Sequence, residues 1–202
     1  MTDQERYLDL FRTYETAVRN KGFESAKEYE DSVTDVDVQD KLRFCRVVRN
    51  YLAHGKDAGR FVAPTADMTK FIEDTVYILD EGELPVGKKI IPLSKCICET
   101  NTITEALTFM QKNKTSAIPV FTKDGKVKGL FSYEDFARFF ISNDVKVSKT
   151  TKLASLPIKV AKGKVVEIDK KESVRTAFSL YQGGKVVIVT ENKNACGIYI
   201  YK

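Results

Sequence analysis

The sequence predicts an α+β fold in two parts, a helical N-terminal bundle and a β-rich C-terminal half built as a tandem repeat. Three observations carry that expectation. Over roughly the first 80 residues apolar side chains recur at helical spacing. A stretch holding Gly82, Pro85 and Gly87 then breaks the pattern as a linker. From Lys88 onward short β-rich runs alternate with short helices, and the same order of elements returns about 70 residues later.

Taken in order, Tyr7, Phe11, Tyr14 and Val18 form one apolar stripe on a first helix that ends near Gly22. Ser25 to Val33 reads as a short second helix. Asp37 to His54 reads as a third, with Leu42, Cys45, Val48 and Leu52 on one face and Gly55 as its stop. After a loop containing Gly and Pro, Thr65 caps a fourth helix carrying Met68, Ile72, Val76 and Leu79. Four amphipathic helices with short links predict an antiparallel bundle over residues 1–84.

In the second part, Thr102 and Glu105 stand at capping-box spacing and open a helix with Ile103, Ala106, Leu107 and Met110 inward. A β-run Ala117–Phe121, a turn at Lys123–Lys126, a second run Val127–Phe131 and a helix bearing Phe136, Phe139 and Phe140 follow. In the second copy Val174, Ala177, Phe178 and Tyr181 match the first helix, Val186–Val189 and Gly197–Ile200 match the two strands, and Glu191–Asn194 matches the turn. A single β-α-β-β-α unit leaves one sheet face bare, so two copies must pack together to close one core. The expected extents are 88–202 for the pair, about 88–145 for the first repeat and about 150–202 for the second.

Composition bounds the function. Hydrophobic residues at 43% and charged residues at 30% describe an ordinary globular chain of 202 residues. No apolar run approaches the ~18 residues of a membrane span, and the charged opening lacks the apolar core of a signal peptide, so no membrane and a cytoplasmic location are expected. Cys45, Cys96, Cys98 and Cys196 form no CxxC pair. Cys96 and Cys98 fall two apart on an expected strand, without ligand partners, so buried thiols and no metal site are the expectation. The net charge of +5 is split: residues 1–86 hold 12 Lys+Arg against 18 Asp+Glu, residues 87–202 hold 21 against 10. A basic half attracts anions, nucleotides among them.

Within the first repeat, Ile118-Pro119-Val120, the Asp124-Gly125 turn and Gly129-Leu130-Phe131-Ser132-Tyr133-Glu134-Asp135 together resemble the CBS domain family, and the tandem resembles a CBS pair. The resemblance implies a regulatory module with an adenine nucleotide (AMP, ADP, ATP or a related adenosyl compound) as ligand and no cofactor required. It implies ribose hydroxyls on Asp135, phosphate or ribose on Ser132, and the base between Ile90-Ile91-Pro92 and Ser116-Ala117-Pro119. The chemistry stands without the family. A carboxylate accepts two vicinal hydroxyl donors, and a hydroxyl at a helix N-terminus sits among free N–H groups. Ser132-x-x-Asp135 is equally a helix-capping pattern. The second copy reads Gly197-Ile-Tyr-Ile-Tyr-Lys and lacks both the hydroxyl and the acid, so one well-made nucleotide site per chain is expected.

On the third helix, Arg49-Asn50 and His54 resemble the R-N-x-x-x-H signature of HEPN domains, helical bundles that include dimeric, metal-independent endoribonucleases. The resemblance implies Arg49, Asn50 and His54 as a catalytic set, RNA as a partner of this domain, and a homodimer. Asn50 and His54 are one turn apart, an imidazole can move a proton at a ribose 2′-hydroxyl, and a guanidinium can hold the phosphate. The plainer reading is a histidine that ends a helix and packs on Tyr51. Two functions therefore stand: a nucleotide-gated ribonuclease, and a non-catalytic sensor that signals through protein contact.

Overall fold

A computed structural model describes residues 1–55, 61–141, 148–159 and 163–201. The loop expected after Gly55, the end of the first repeat near residue 145 and the last lysine lie outside the described residues. The chain divides into two compact units, Met1–Glu83 and Leu84–Lys202.

In the first unit α1 (Asp3–Asn20) opens on a complete capping box from Thr2 and Glu5. It buries Tyr7, Phe11, Tyr14 and Val18. Ser25, Asp35 and Thr65 cap α2 (Ala26–Ser32), α3 (Val36–His54) and α4 (Ala66–Glu81), each accepting a backbone N–H of the first turn. Leu42, Cys45, Val48 and Leu52 of α3 and Ile72 and Leu79 of α4 complete one core. Three polar ties cross it. The Tyr7 hydroxyl donates to the Cys45 carbonyl at 3.0 Å. The Arg49 guanidinium bridges to Glu15 at 3.2 Å. Glu30, 1% exposed, accepts Arg46 Nε on both carboxylate oxygens at 3.0 and 2.9 Å.

The second unit holds β1 (Ile90–Pro92), α5 (Ile103–Lys112), β2 (Ala117–Phe121), β3 (Val127–Ser132), α6 (Tyr133–Ile141), β4 (Val165–Asp169), α7 (Val174–Gln182), β5 (Val186–Glu191) and β6 (Asn194–Tyr199). Two repeats are visible in it. α5, β2 and β3 correspond to α7, β5 and β6, and each pair of final strands is an antiparallel hairpin. β4 runs parallel to β5. Its counterpart in the first repeat is shorter, a parallel bridge between Cys98 and Phe121. The strand expected through Cys96 and Cys98 is thereby corrected. Pro92 leads into a 3₁₀ turn at Leu93–Lys95, whose Leu93 carbonyl takes the Cys96 N–H; the backbone is extended again from Cys96, and the expected strand shrinks to the bridge at Cys98.

The repeats are interlocked through their leading segments. β1 precedes the first repeat, yet it pairs with β6 of the second, giving a four-stranded sheet of order β1-β6-β5-β4. The segment Pro157–Lys159 precedes the second repeat and lies on the first, where Leu130 N–H donates to the Lys159 carbonyl at 3.1 Å. Further upstream the same exchange recurs bond for bond. Val86 and Gly87 N–H donate to Glu172 and Lys170 carbonyls, as Leu153 and Ala154 N–H donate to Asn101 and Glu99 carbonyls. Val174 N–H donates to Leu84 and Ile103 N–H to Thr151. Val86, Leu153 and Leu156 are buried at these junctions, and the latter two belong to the first repeat's core.

Glycine makes the close approach in both places. A Cβ on Gly129 would stand 2.7 Å from Ile158 Cγ2 and 2.9 Å from the Lys159 carbonyl carbon. One on Gly197 would collide with the Ile91 carbonyl oxygen. The glycine of the repeat motif is therefore a seat for the other repeat's leading strand.

Two stability changes follow. Gly197→Ala should lower the stability of the second unit by about 2 kcal/mol, because the obstacle is backbone rather than a side-chain tip; chemical denaturation with the β-sheet signal measures it, and an unchanged midpoint refutes the seating role. Burial raises the Glu30 carboxyl above its ordinary range and the Arg46 guanidinium opposes that rise. A raised carboxyl favours the native state while protonated and loses that advantage as pH climbs through its folded value. Arg46→Met removes the opposing cation, so Glu30 rises further. The loss should be roughly 2–3 kcal/mol at pH 7 and should shrink on acidification as Glu30 takes up its proton. Urea midpoints at two pH values check the sign.

Candidate functional site

The site grows out of the β2–β3 hairpin and the helix that leaves it. Ala117 and Ser132 are register partners at the open end of the hairpin, and Tyr133 N–H donates to the Ser116 carbonyl, which turns the chain directly into α6. Ser132 Oγ accepts the Asp135 N–H at 3.0 Å, while Asp135 Oδ2 accepts Ser132 N–H at 3.1 Å and Ser132 Oγ–H at 2.6 Å. The pair is thus a reciprocal cap on α6. Oδ2 is spent on the cap. Oδ1 faces Arg138 Nη2 at 3.4 Å.

Beside this pair lies a cavity of about 470 Å³, within the range of small-ligand sites. Ala117, Leu130, Phe139 and Pro157 give it apolar wall, Ser132, Glu134 and Asp135 give it acceptors, and Arg138, Lys159 and Lys164 give it three cations. Two of those cations, with Pro157, arrive on the exchanged leading segment or just beyond it. The cavity therefore exists only because Gly129 lets that segment lie against β3. A half-apolar slot with a carboxylate at one end and cations around the rim suits a ligand that is partly flat and apolar, carries hydroxyls, and ends in an anion.

The residues expected to bind ligand are not all brought together. Ser132, Asp135 and Ala117 line this cavity. Ser116 and Pro119 line a separate one of about 320 Å³, shared with Ala117 and closed by Tyr181, Lys185, Val186 and Ile198. Ile91 pairs with Ile198 in the four-stranded sheet and packs with Phe121 and Ile188. It lines neither cavity. At the Ser132–Asp135 site the counterparts of Ile90 and Ile91 are Ile158 and Lys159, 68 residues further on, which approach Gly129 as Ile90 and Ile91 approach Gly197. Arg138, Lys159 and Lys164 escape a reading by motif because exposed basic side chains look like solvated surface. The repeat offset applied to the leading segment is the signal that points to Pro157 and Lys159.

On α3, Asn50 and His54 are exposed one turn apart, and His54 is the last residue of the helix. Arg49 joins Asn50 but also reaches back to α1. Its guanidinium holds Glu15 of α1, donates to Asn50 Oδ1 at 3.0 Å and lies 5.8 Å from the Phe11 ring centroid. Arg49 is a clamp between two helices before it can be anything else. Phe44, Val47 and Tyr51 on the same helix are 61%, 54% and 43% exposed, one apolar stripe at i, i+3, i+7. Among the described residues no group of three or more His, Cys, Asp or Glu could hold a metal ion, and no helix is long and apolar enough to cross a membrane.

Compared with known proteins, residues 89–142 match the CBS domain family. An uncharacterized protein of Methanocaldococcus jannaschii is 27% identical over 113 residues, covering 53% of this chain and 67% of its own. Among solved structures, a conserved protein domain of unknown function from Neisseria meningitidis aligns over 80% of this chain and 96% of its own at 16% identity and a TM-score of 0.43. The CBS domains of a transcriptional regulator from Streptococcus pneumoniae align over 58% of this chain and 92% of their own at 18% identity and a TM-score of 0.40.

Proposed function

We propose that this chain, which carries a CBS domain at residues 89–142, is a regulatory protein that senses an adenine nucleotide through the repeat pair and answers through its helical unit. CBS domain proteins are commonly regulatory and ligand-sensing. One observation carries the assignment: the Ser132–Asp135 pair, inside the matched residues, borders a cavity rimmed by Arg138 and, from further downstream, Lys159 and Lys164. Asp135 keeps one oxygen beyond the cap for ribose hydroxyls, the cations face where phosphate extends, and Ala117, Leu130 and Pro157 offer apolar contact to the base. Nothing in this reading requires a metal or a second cofactor.

Isothermal calorimetry with AMP and ATP tests it. Asp135→Asn keeps an acceptor for the Ser132 cap and removes the charge, so affinity should fall about tenfold, near 1.5 kcal/mol, with little change in the ligand-free melting temperature. Unaltered affinity in the variant removes Asp135 from the site. No heat with any adenosine compound removes the nucleotide.

The output of the helical unit supports a second reading. Asn50 and His54 are exposed side by side, which favours a HEPN-like role in RNA cleavage with His54 moving the proton and Asn50 orienting the substrate. One histidine per chain makes a pair of protomers the natural unit for that chemistry, and the exposed Phe44–Val47–Tyr51 stripe on the same helix gives a two-fold contact to bury. Light scattering should then report a dimer at micromolar concentration, and Val47→Glu with Tyr51→Glu should dissociate it. Purified protein should degrade RNA and lose that activity on His54→Ala. Intact RNA in the presence of dimeric wild-type protein leaves the non-catalytic sensor, signalling by protein contact, as the function.

A further inference from the structure

The binding residue of the proposed site is already occupied from within. Asp135 Oδ2 is engaged twice by Ser132, so only Oδ1 can receive a ligand hydroxyl, and Arg138 Nη2 stands 3.4 Å from it. Arg138 also reaches Glu134 Oε1 at 3.5 Å. Both contacts are long for charge-assisted hydrogen bonds, and the arginine side chain is 64% exposed, so it is held loosely and free to swing. It lines the same cavity as Lys159 and Lys164.

We propose that Arg138 is a specificity-determining residue that makes the site select ribose compounds carrying a phosphate over those without one. This rests on the nucleotide reading of the Ser132–Asp135 cavity. A ribose diol binding to Oδ1 displaces the guanidinium from Asp135. If the ligand ends in phosphate, the released guanidinium finds a new anion within its own reach and forms a bidentate contact there, stronger than the long, exposed ion pair it gave up. If the ligand is a bare nucleoside, the ion pair is broken and nothing replaces it. Arg138 therefore penalises nucleosides and rewards nucleotides with a single side chain, whereas Lys159 and Lys164 only add attraction for anions. Lysine at position 138 would attract phosphate as a point charge but lacks the fork that holds two oxygens.

The experiment is calorimetric titration of the full chain with AMP and with adenosine, for wild type, Arg138→Ala and Lys159→Ala. In wild type AMP should bind more tightly than adenosine. In Arg138→Ala AMP should weaken by about tenfold while adenosine holds or tightens, so that the preference collapses from both sides. In Lys159→Ala AMP should weaken and adenosine should stay as it was. An AMP-to-adenosine ratio unchanged in Arg138→Ala overturns the selective role while leaving the nucleotide site standing. A parallel loss of both ligands in that variant overturns it too, since that is the mark of a merely structural arginine. Wild-type protein that binds neither compound overturns the nucleotide reading, and this inference with it.

Discussion

The second unit depends on a backbone-to-backbone approach that only glycine permits. At Gly129 and Gly197 the second strand of each hairpin lies against the leading segment of the opposite repeat, with no room for a Cβ. Everything placed around the cavity follows from that contact. It carries Pro157 and Lys159 beside β3, buries Leu153 and Leu156 in the first repeat's core, and sets β1 as the edge of the second repeat's sheet. Each repeat alone would expose an unpaired strand edge and an apolar gap, the two liabilities that pairing removes together. The repeats are two halves of one core rather than two beads.

Capping and ligand binding at Ser132–Asp135 are compatible roles because they use different atoms. The cap takes Oδ2 and the hydroxyl, which fixes the carboxylate plane and leaves Oδ1 toward Arg138. A side chain whose rotamer is locked by its own helix loses little freedom when a ligand arrives. In the helical unit the same economy is absent. Arg49 already spends its guanidinium on Glu15 and Asn50, so the R-N-x-x-x-H pattern there also has a structural reason, the joining of α1 to α3.

How much of this was legible in the sequence follows from the range of the forces involved. Helices α1, α3, α4 and α5 announce themselves through apolar stripes, and α4 and α5 also through caps at Thr65 and Thr102, all features spanning about a dozen residues or fewer. The hairpins are equally local, marked by β-branched and aromatic runs around short turns. What stays dark is every partnership between distant segments. Read within one repeat, Ile91 belongs with Ser116 and Pro119; in the fold it faces Ile198, because the leading strand crosses to the other copy. Strand β4 alternates half-buried Val166 and Ile168 with exposed Glu167 and Asp169, but over only four residues, too short a run to stand out. Cys96 and Cys98 look like residues of a full strand, but a 3₁₀ turn at Leu93–Lys95 precedes them and leaves only a single bridge at Cys98. The cavity's cations are invisible for a related reason, since nothing local separates a lysine that faces a cavity from one that faces water.

The crossing of the leading segments also sets an order of events during synthesis. When a ribosome has released the first repeat through α6, that repeat still lacks Leu153, Leu156 and the strand that covers β3, all of which lie downstream. β1, in turn, waits for β6, more than a hundred residues downstream. The nascent chain therefore holds an incomplete hairpin with its glycine groove open until the downstream segments are made, and the pairings that close the repeats join residues about 30 and about 107 positions apart. Such non-local closure makes folding slow and late compared with the helical unit, whose core is complete by residue 81. For a time the growing chain is a finished helical bundle attached to a half-built repeat pair, and a cell that makes it must keep that open groove from finding the wrong strand.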